Sequence, residues 1–401
     1  MTVTLEIQKT VYGGDGLGRL GDGRVCFVPG AYAGETVKAE IVEQKRRFVR
    51  ARLVEILEAI PERLAPENIG AVVPGMTYHD VSYAAELRFK QDQLENFLWK
   101  VEQQVLPLEV IASERELNYR AKATYHAQRR GDKWLFGYRR ELSHDVVDIK
   151  EDPLARPEIN AALPGIRSGV MALLTQGAAG VRRAVAADDV TVRWTQIDGV
   201  KWWLGTPPPG LELREQTCGM RFTVPGDGFY QVNPEIAGKL AAAVRDAYLS
   251  GVDSAPNILD LYCGVGVFGL LCLKNAPKDA RLVGVESGRA AIAAAKTNAA
   301  TAGLAANFFC ERVGGSLGRI KIGPRHTVIL DPPRGGLEPN VAPWLAKRHA
   351  PRVFYVSCDP ATLTRDLQAL APTYRIVKVK LFDMFPRTAR FETFVELVAR
   401  N

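Results

Sequence analysis

Across residues 1–58 the chain alternates apolar and polar side chains in short runs: TVTLEIQKTV, RVCFVP, ETVKAEIV and RFVRARLVEIL. Glycines at 13–14, 21, 23 and 30 separate the runs. A period of two sends successive side chains to opposite faces, so each run can lay one face on a core. Short strands of this kind between glycine turns predict a small five-stranded barrel. Residues 60–66 (IPERLAP) read as a linker, and residues 83–105 carry helical spacing. Residues 113–225 mix strand-like runs (ATYHAQRR, KWLFGYRR, VTVRWTQIDGVKWWLG) with helical ones, which predicts a mixed α+β domain. From Asn257 the texture changes to apolar strand, turn and helix in repetition: ILDLYCGVGVFGLLCL, RLVGVE, HTVILDPPR, RVFYVSCDP, RIVKVKLFD, ETFVELVA. Strands alternating with helices predict a doubly wound, mostly parallel sheet. The expected organisation is therefore α/β at the C-terminus (226–401), preceded by the middle α+β domain (59–225) and the barrel (1–58).

In doubly wound sheets ligands bind beyond the carboxyl ends of the strands, and several chemically capable residues fall there. Gly264 and Gly266 follow the first strand of the C-terminal domain, where absent side chains let backbone approach a ligand. With Gly269 they complete a GxGxxG, which dinucleotide folds also use. Glu286 ends the next strand and could hold ribose hydroxyls of either a nicotinamide dinucleotide or S-adenosylmethionine. Asp331 precedes Pro332-Pro333, which cannot continue a central strand and so turn the acid toward the cleft. Cys358 ends the run Val353–Val356 just before Asp359-Pro360. A cysteine at a strand end is ordinarily a small core residue; its shared placement with the others argues for more.

Composition narrows the function classes. In 401 residues, 47% of them apolar, there is no run of about 18 apolar residues, so no membrane helix is expected. The start MTVTLEIQKTVYGG lacks a basic-then-apolar leader, which makes a cytoplasmic location the expectation. Six cysteines stand singly with no CxxC, arguing against disulfides and structural zinc. The net charge of +7 favours a polyanionic partner. Residues 45–52 (KRRFVRAR) interleave basic groups with an aromatic, as in an oligonucleotide-binding (OB-like) barrel, although a solvated hairpin face would read the same way. Arg129-Arg130 and Arg139-Arg140 add basic edges to the middle domain.

Five stretches together, FYQVNPEIA (229–237), LDLYCGVGVF, ILDPPRGGLEP, VSCDPATLTRDL and FDMFPRTARFE (382–392), resemble the RNA uracil-C5 methyltransferases. The barrel resembles the TRAM domain that many members carry. The resemblance implies a Rossmann-like methyltransferase domain using S-adenosylmethionine on ribosomal or transfer RNA, in a monomer. It implies Cys358 as nucleophile and Glu392 as the base that removes the C5 proton. Gln231, Tyr262, Gly264, Gly266, Glu286 and Asp331 would line the cofactor and uracil pocket. Such residues suit the reaction: thiolate addition at C6 makes C5 nucleophilic, and loss of the C5 proton lets the thiol leave.

The chain departs from the family at several positions. Many members hold an iron–sulfur cluster through four cysteines; Glu67, Val73, Met76 and Asp152 stand there instead, so no cluster is expected. Val267 replaces a usual asparagine, Arg390 a usual histidine, and Arg312 a polar residue near the cofactor. These changes leave open an RNA-binding protein without turnover. A nicotinamide-dependent oxidoreductase would rest on the glycines alone and leaves Cys358 and Glu392 unexplained.

Overall fold

In a computed structural model, which describes residues 1–140, 143–175 and 189–400, the N-terminal strands close into a barrel. Strands β1 (Thr2–Thr10), β2 (Gly16–Arg19), β3 (Val25–Val28), β4 (Thr36–Gln44) and β5 (Phe48–Glu58) run in the order β1-β2-β3-β5-β4 around it. Leu5, Ile7, Val28, Val37, Ala39, Val49 and Ala51 fill its interior from alternate positions, and closure leaves no open edge.

Helix α1 (Tyr83–Glu102) begins at Ser82, whose side chain accepts the N–H of Ala85. The strand β6 (Leu108–Ile111) follows. Next comes an antiparallel sheet of β7 (Lys122–Arg130), β8 (Lys133–Arg139), β9 (Val146–Asp148), β10 (Asp189–Thr195) and β11 (Gly199–Leu204), in the order β11-β10-β7-β8-β9. Helix α2 (Pro157–Thr175) packs against β10 and β11, burying Ile159, Leu163 and Ile166 on Tyr125, Phe136, Val190 and Val192. The hairpin β12 (Glu212–Thr217) and β13 (Met220–Pro225) leads to α3 (Pro234–Leu249) and the C-terminal sheet.

That sheet holds β14 (Asn257–Leu261), β15 (Leu282–Glu286), β16 (Ala306–Cys310), β17 (His326–Leu330), β18 (Arg352–Ser357), β19 (Tyr374–Phe382) and β20 (Glu392–Ala399). The order is β16-β15-β14-β17-β18-β20-β19-β6. The first five are parallel, and β20 lies antiparallel between β18 and β19. The helices are α4 (Val267–Lys274), α5 (Arg289–Thr301), α6 (Val313–Ser316), α7 (Val341–Arg348) and α8 (Pro360–Leu370). Val328, Leu330, Val353 and Tyr355 are fully buried, as expected of central strands covered on both faces. The eighth strand comes from far away in sequence: β6 pairs parallel to β19, and α1 packs on α8. Residues 83–111, expected within the middle domain, thus complete the C-terminal layer. Their apolar face is the same length and spacing whichever layer receives it.

A buried ionic seam ties the three parts together. Lys90 of α1 has no exposed surface and donates to Glu86 at 2.7 Å and to Asp383 at 2.6 Å. Tyr83 donates to Asp383 at 2.7 Å, and the backbone N–H of Arg387 donates to Glu86 at 2.8 Å. On the barrel side, Arg63 bridges Glu35 and Asp80, and the Tyr32 hydroxyl also reaches Asp80. Charges this deep are tolerable only when paired and hydrogen-bonded. The network fixes residues 383–391, the segment that feeds directly into β20.

Candidate active site

The carboxyl ends of β14, β15, β17 and β18, with the first residue of β20, surround a cleft of about 740 Å³. This is the volume range of pockets that enclose small ligands. Of the residues expected in the site, Gln231, Tyr262, Gly264, Glu286, Asp331, Cys358 and Glu392 all line it. Gly266 does not. It caps α4 with φ of 87°, a left-handed conformation that favours glycine, so its role is to turn the chain into the helix. Gly269 also serves packing: a Cβ there would stand 2.7 Å from Asp260 Oδ2 and 2.8 Å from Leu282.

The nucleophile candidate and the base candidate sit at the ends of one strand pair. In the β18–β20 ladder Ser357, the last residue of β18, faces Thr393; Cys358 follows Ser357, Glu392 begins β20, and both side chains line the cleft. Asp359 turns the chain after Cys358: its Oδ1 accepts the N–H groups of Ala361 and Thr362, capping α8. Asp331 follows β17, with its N–H directed to the carbonyl of Leu261 at 3.4 Å. Tyr262 sits at a φ of 64°, uncommon for a tyrosine, and its hydroxyl accepts from the N–H of Glu338 at 3.4 Å.

The electrostatics are those of an acidic, desolvated cavity. Glu392 is 3% exposed, and burial, with the charge of Asp331 added, holds its carboxyl well above the usual range. Burial and then Glu286 push Asp331 up to about 7. Behind the glycine turn, burial pushes Asp260 up to about 8, despite the Gly269 N–H it accepts at 2.9 Å. The Cys358 thiol rises to about 12, first through burial and then through Glu392, Asp331 and Asp359. Every one of these shifts would be opposed by positive charge in the cleft. The acid-rich lining, the bare backbone at Gly264 and the carboxylate of Glu286, whose Oε1 is anchored by the N–H of Gly288 at 2.7 Å, suit a cationic nucleoside cofactor. S-adenosylmethionine, with a sulfonium and an ammonium, has that chemistry.

The departures noted in the sequence also have places. Val267 and Arg312 line the cleft. Arg390 lies at its rim, 4.0 Å from Asp359, and donates to the Tyr12 hydroxyl at 2.8 Å. The four positions where the family resemblance would put iron–sulfur ligands carry no thiols and do not fit a cluster. Val73 and Met76 are buried in the middle-domain core, Glu67 is exposed, and Asp152 accepts from the hydroxyls of Tyr125 and Tyr138. Among the described residues no group of His, Cys, Asp and Glu could hold a metal ion.

The chain is similar to known proteins along nearly its whole length. Residues 1–54 match the TRAM domain, residues 246–334 the methyltransferase small domain, and residues 318–400 the tRNA (Uracil-5-)-methyltransferase model. An uncharacterized RNA methyltransferase of Thermotoga maritima is 31% identical over 99% of both chains. The chain belongs to the RNA uracil-C5 methyltransferase family. The 23S rRNA (uracil(1939)-C(5))-methyltransferase RlmD of Shewanella amazonensis is 30% identical, covering 97% of this chain and 94% of the relative. The tRNA (uracil-54, C5)-methyltransferase of Pyrococcus abyssi, solved with S-adenosyl-L-homocysteine, shares the fold with a TM-score of 0.74 at 22% identity, over 98% and 99% of the two chains. Like its family, this methyltransferase is an enzyme of RNA modification that uses S-adenosylmethionine, and its barrel is a TRAM domain. One contact could not be anticipated from motifs: Tyr12 of the TRAM barrel reaches the turn that carries Cys358, and only the folded chain joins positions 346 residues apart.

Proposed function

We propose that this methyltransferase modifies C5 of a uridine in structured RNA through a covalent bond between Cys358 and C6. The observation that supports the proposal is that Cys358, Glu392 and Asp331 line one cleft, with Cys358 and Glu392 at the ends of the paired strands β18 and β20. S-adenosylmethionine supplies, when bound, a methyl group on a positively charged sulfur. Gly264, Tyr262 and Glu286 would bind it on the β14–β15 side.

The uridine must leave any helical stack to enter the cleft, because neither C5 nor C6 is reachable by thiol and carboxylate within a helix. Asp331 orients the ring, accepting from uracil N3–H when ionised. The Cys358 thiol loses its proton to solvent, its sulfur forms a bond to C6, and the displaced electrons of the C5–C6 double bond pass to C5 and O4. C5 would take the methyl group as the sulfonium's bond to that carbon breaks, the electron pair staying on the now neutral sulfur. Glu392 then accepts the C5 proton, the double bond re-forms, and the Cys358–C6 bond breaks to return the thiolate. Burial holds the Cys358 thiol and the Glu392 carboxyl above their usual ranges, and the positive charge of a bound cofactor would favour the ionised form of both.

Relatives at 28–30% identity over nearly the full chain are named for 23S ribosomal RNA, which favours a ribosomal uridine over a transfer RNA one. Mass mapping of 5-methyluridine in ribosomal and transfer RNA, from cells with and without the gene, tests the reading. A single ribosomal position losing its methyl group supports it; loss of a transfer RNA methyl group moves the target, and no change in either contradicts it.

A further inference from the structure

The contact between the TRAM barrel and the catalytic turn is built with care. The turn between β1 and β2 contains Gly13 and Gly14 at φ of 107° and 93°. A Cβ at Gly14 would stand 2.1 Å from Thr77 and 3.8 Å from Ala389, so glycine lets this turn press into the seam. Its Tyr12 ring packs edge-on against Phe97 of α1 at 6.0 Å and against Phe391 at 5.7 Å. Phe391 immediately precedes Glu392. The Tyr12 hydroxyl accepts from Arg390 Nη1 at 2.8 Å and lies 3.5 Å from the carbonyl oxygen of Cys358, the long limit of a hydrogen bond. The Arg390 guanidinium also lies 5.4 Å from the centre of the Tyr12 ring. One barrel side chain thus touches the residue before the base, the residue bearing the nucleophile, and the arginine beside Asp359.

We infer that Tyr12, through Arg390, is a positioning residue for methyl transfer, aligning the Cys358 turn with the start of β20 when the barrel is docked. The inference rests on the function proposed above. An RNA-binding module that only captured substrate would need no polar contact with the catalytic turn. This contact makes the seating of the barrel a condition for the spacing of the two reacting groups, which tolerates little error.

Tyr12→Phe keeps the ring packing and removes the hydroxyl. Rates are measured in single turnover with saturating methyl-labelled S-adenosylmethionine and saturating bulk RNA from cells lacking the gene. Loss of one hydrogen bond to a charged group predicts a rate about tenfold lower. Affinity for that RNA and for the cofactor, and the melting temperature, should stay near those of the unaltered protein. Arg390→Ala should show a similar loss, and the double variant should be no slower than Arg390→Ala alone, because both remove the same link. A Tyr12→Phe rate equal to wild type at saturation overturns the inference, as does a defect that vanishes at saturating RNA, which would make Tyr12 an RNA contact. Additive losses in the double variant also overturn it. Failure of the underlying function would show differently, as no label transfer by the unaltered protein.

Discussion

Replacing Lys90 by methionine probes how the fold holds the segment that leads to Glu392, the proposed base. Lys90 is fully buried, and burial works against its charge, yet the carboxylates of Asp383 and Glu86 more than restore it. Methionine keeps most of the volume, so little cavity forms; what remains is a pair of buried carboxyls and the Phe385 carbonyl without their shared donor. Breaking a buried ion pair from one side costs about 3–5 kcal/mol. With a urea slope of about 3 kcal/mol/M, the unfolding midpoint should fall by about 1–1.7 M. Glu86→Gln is the contrast: burial already raises the Glu86 pKa, so a neutral amide should cost only about 1 kcal/mol. Because Asp383 begins the segment that ends at Glu392, Lys90→Met should also slow methyl transfer at temperatures where the fold persists. A midpoint shift below about 0.3 M, or equal losses in the two variants, would refute the assignment of this network as the anchor of that segment.

Asp331 has a folded-state pKa raised above its unfolded value, so its contribution to stability is complete below the unfolded carboxyl range, about pH 4, and is lost as pH rises through about 7. The melting temperature of the cofactor-free protein should therefore drop less between pH 5 and 8 in Asp331→Asn than in wild type; parallel curves would argue against a buried, uncompensated acid. Replacing Lys45, Arg46 and Arg47, exposed on the β4–β5 turn, with alanine should weaken RNA binding and flatten its salt dependence by about 0.7 per lost phosphate contact, and an unchanged slope would mean a merely solvated loop. Asp152→Ala, which strands the hydroxyls of Tyr125 and Tyr138, should destabilise the middle domain by about 2–5 kcal/mol, and protein prepared without oxygen should carry no stoichiometric iron. Stoichiometric iron and a brown colour would contradict the reading of those four positions.

The site was legible where its residues sit at strand ends, since local pattern alone marks those ends. The apolar runs before Asp331-Pro332-Pro333 and before Cys358 placed both residues at the cleft, and the five-stranded barrel followed from simple alternation between glycine turns. That Gly266 caps a helix rather than lining the cleft was not legible, because a glycine needed for a left-handed helix cap reads the same as one needed beside a ligand. The layer receiving β6 and α1 was not legible either. A four-residue strand pairs with β19 about 270 residues later, and nothing local encodes that choice. Lys90 reads as a solvated helix residue until Asp383 is brought to it by the fold. The same holds for Tyr12, whose partner Arg390 looks in sequence like a simple departure from the family's histidine.

The most direct test of the central claim is denaturing-gel analysis of Glu392→Gln incubated with RNA and methyl-labelled S-adenosylmethionine. If Cys358 is the nucleophile and Glu392 removes the C5 proton, addition and methyl transfer proceed but elimination stalls. The variant should then accumulate a protein–RNA adduct that survives denaturation and carries the methyl label, while Cys358→Ala and the double variant form none. Normal turnover by Glu392→Gln, or methylation by Cys358→Ala, would contradict the assigned chemistry.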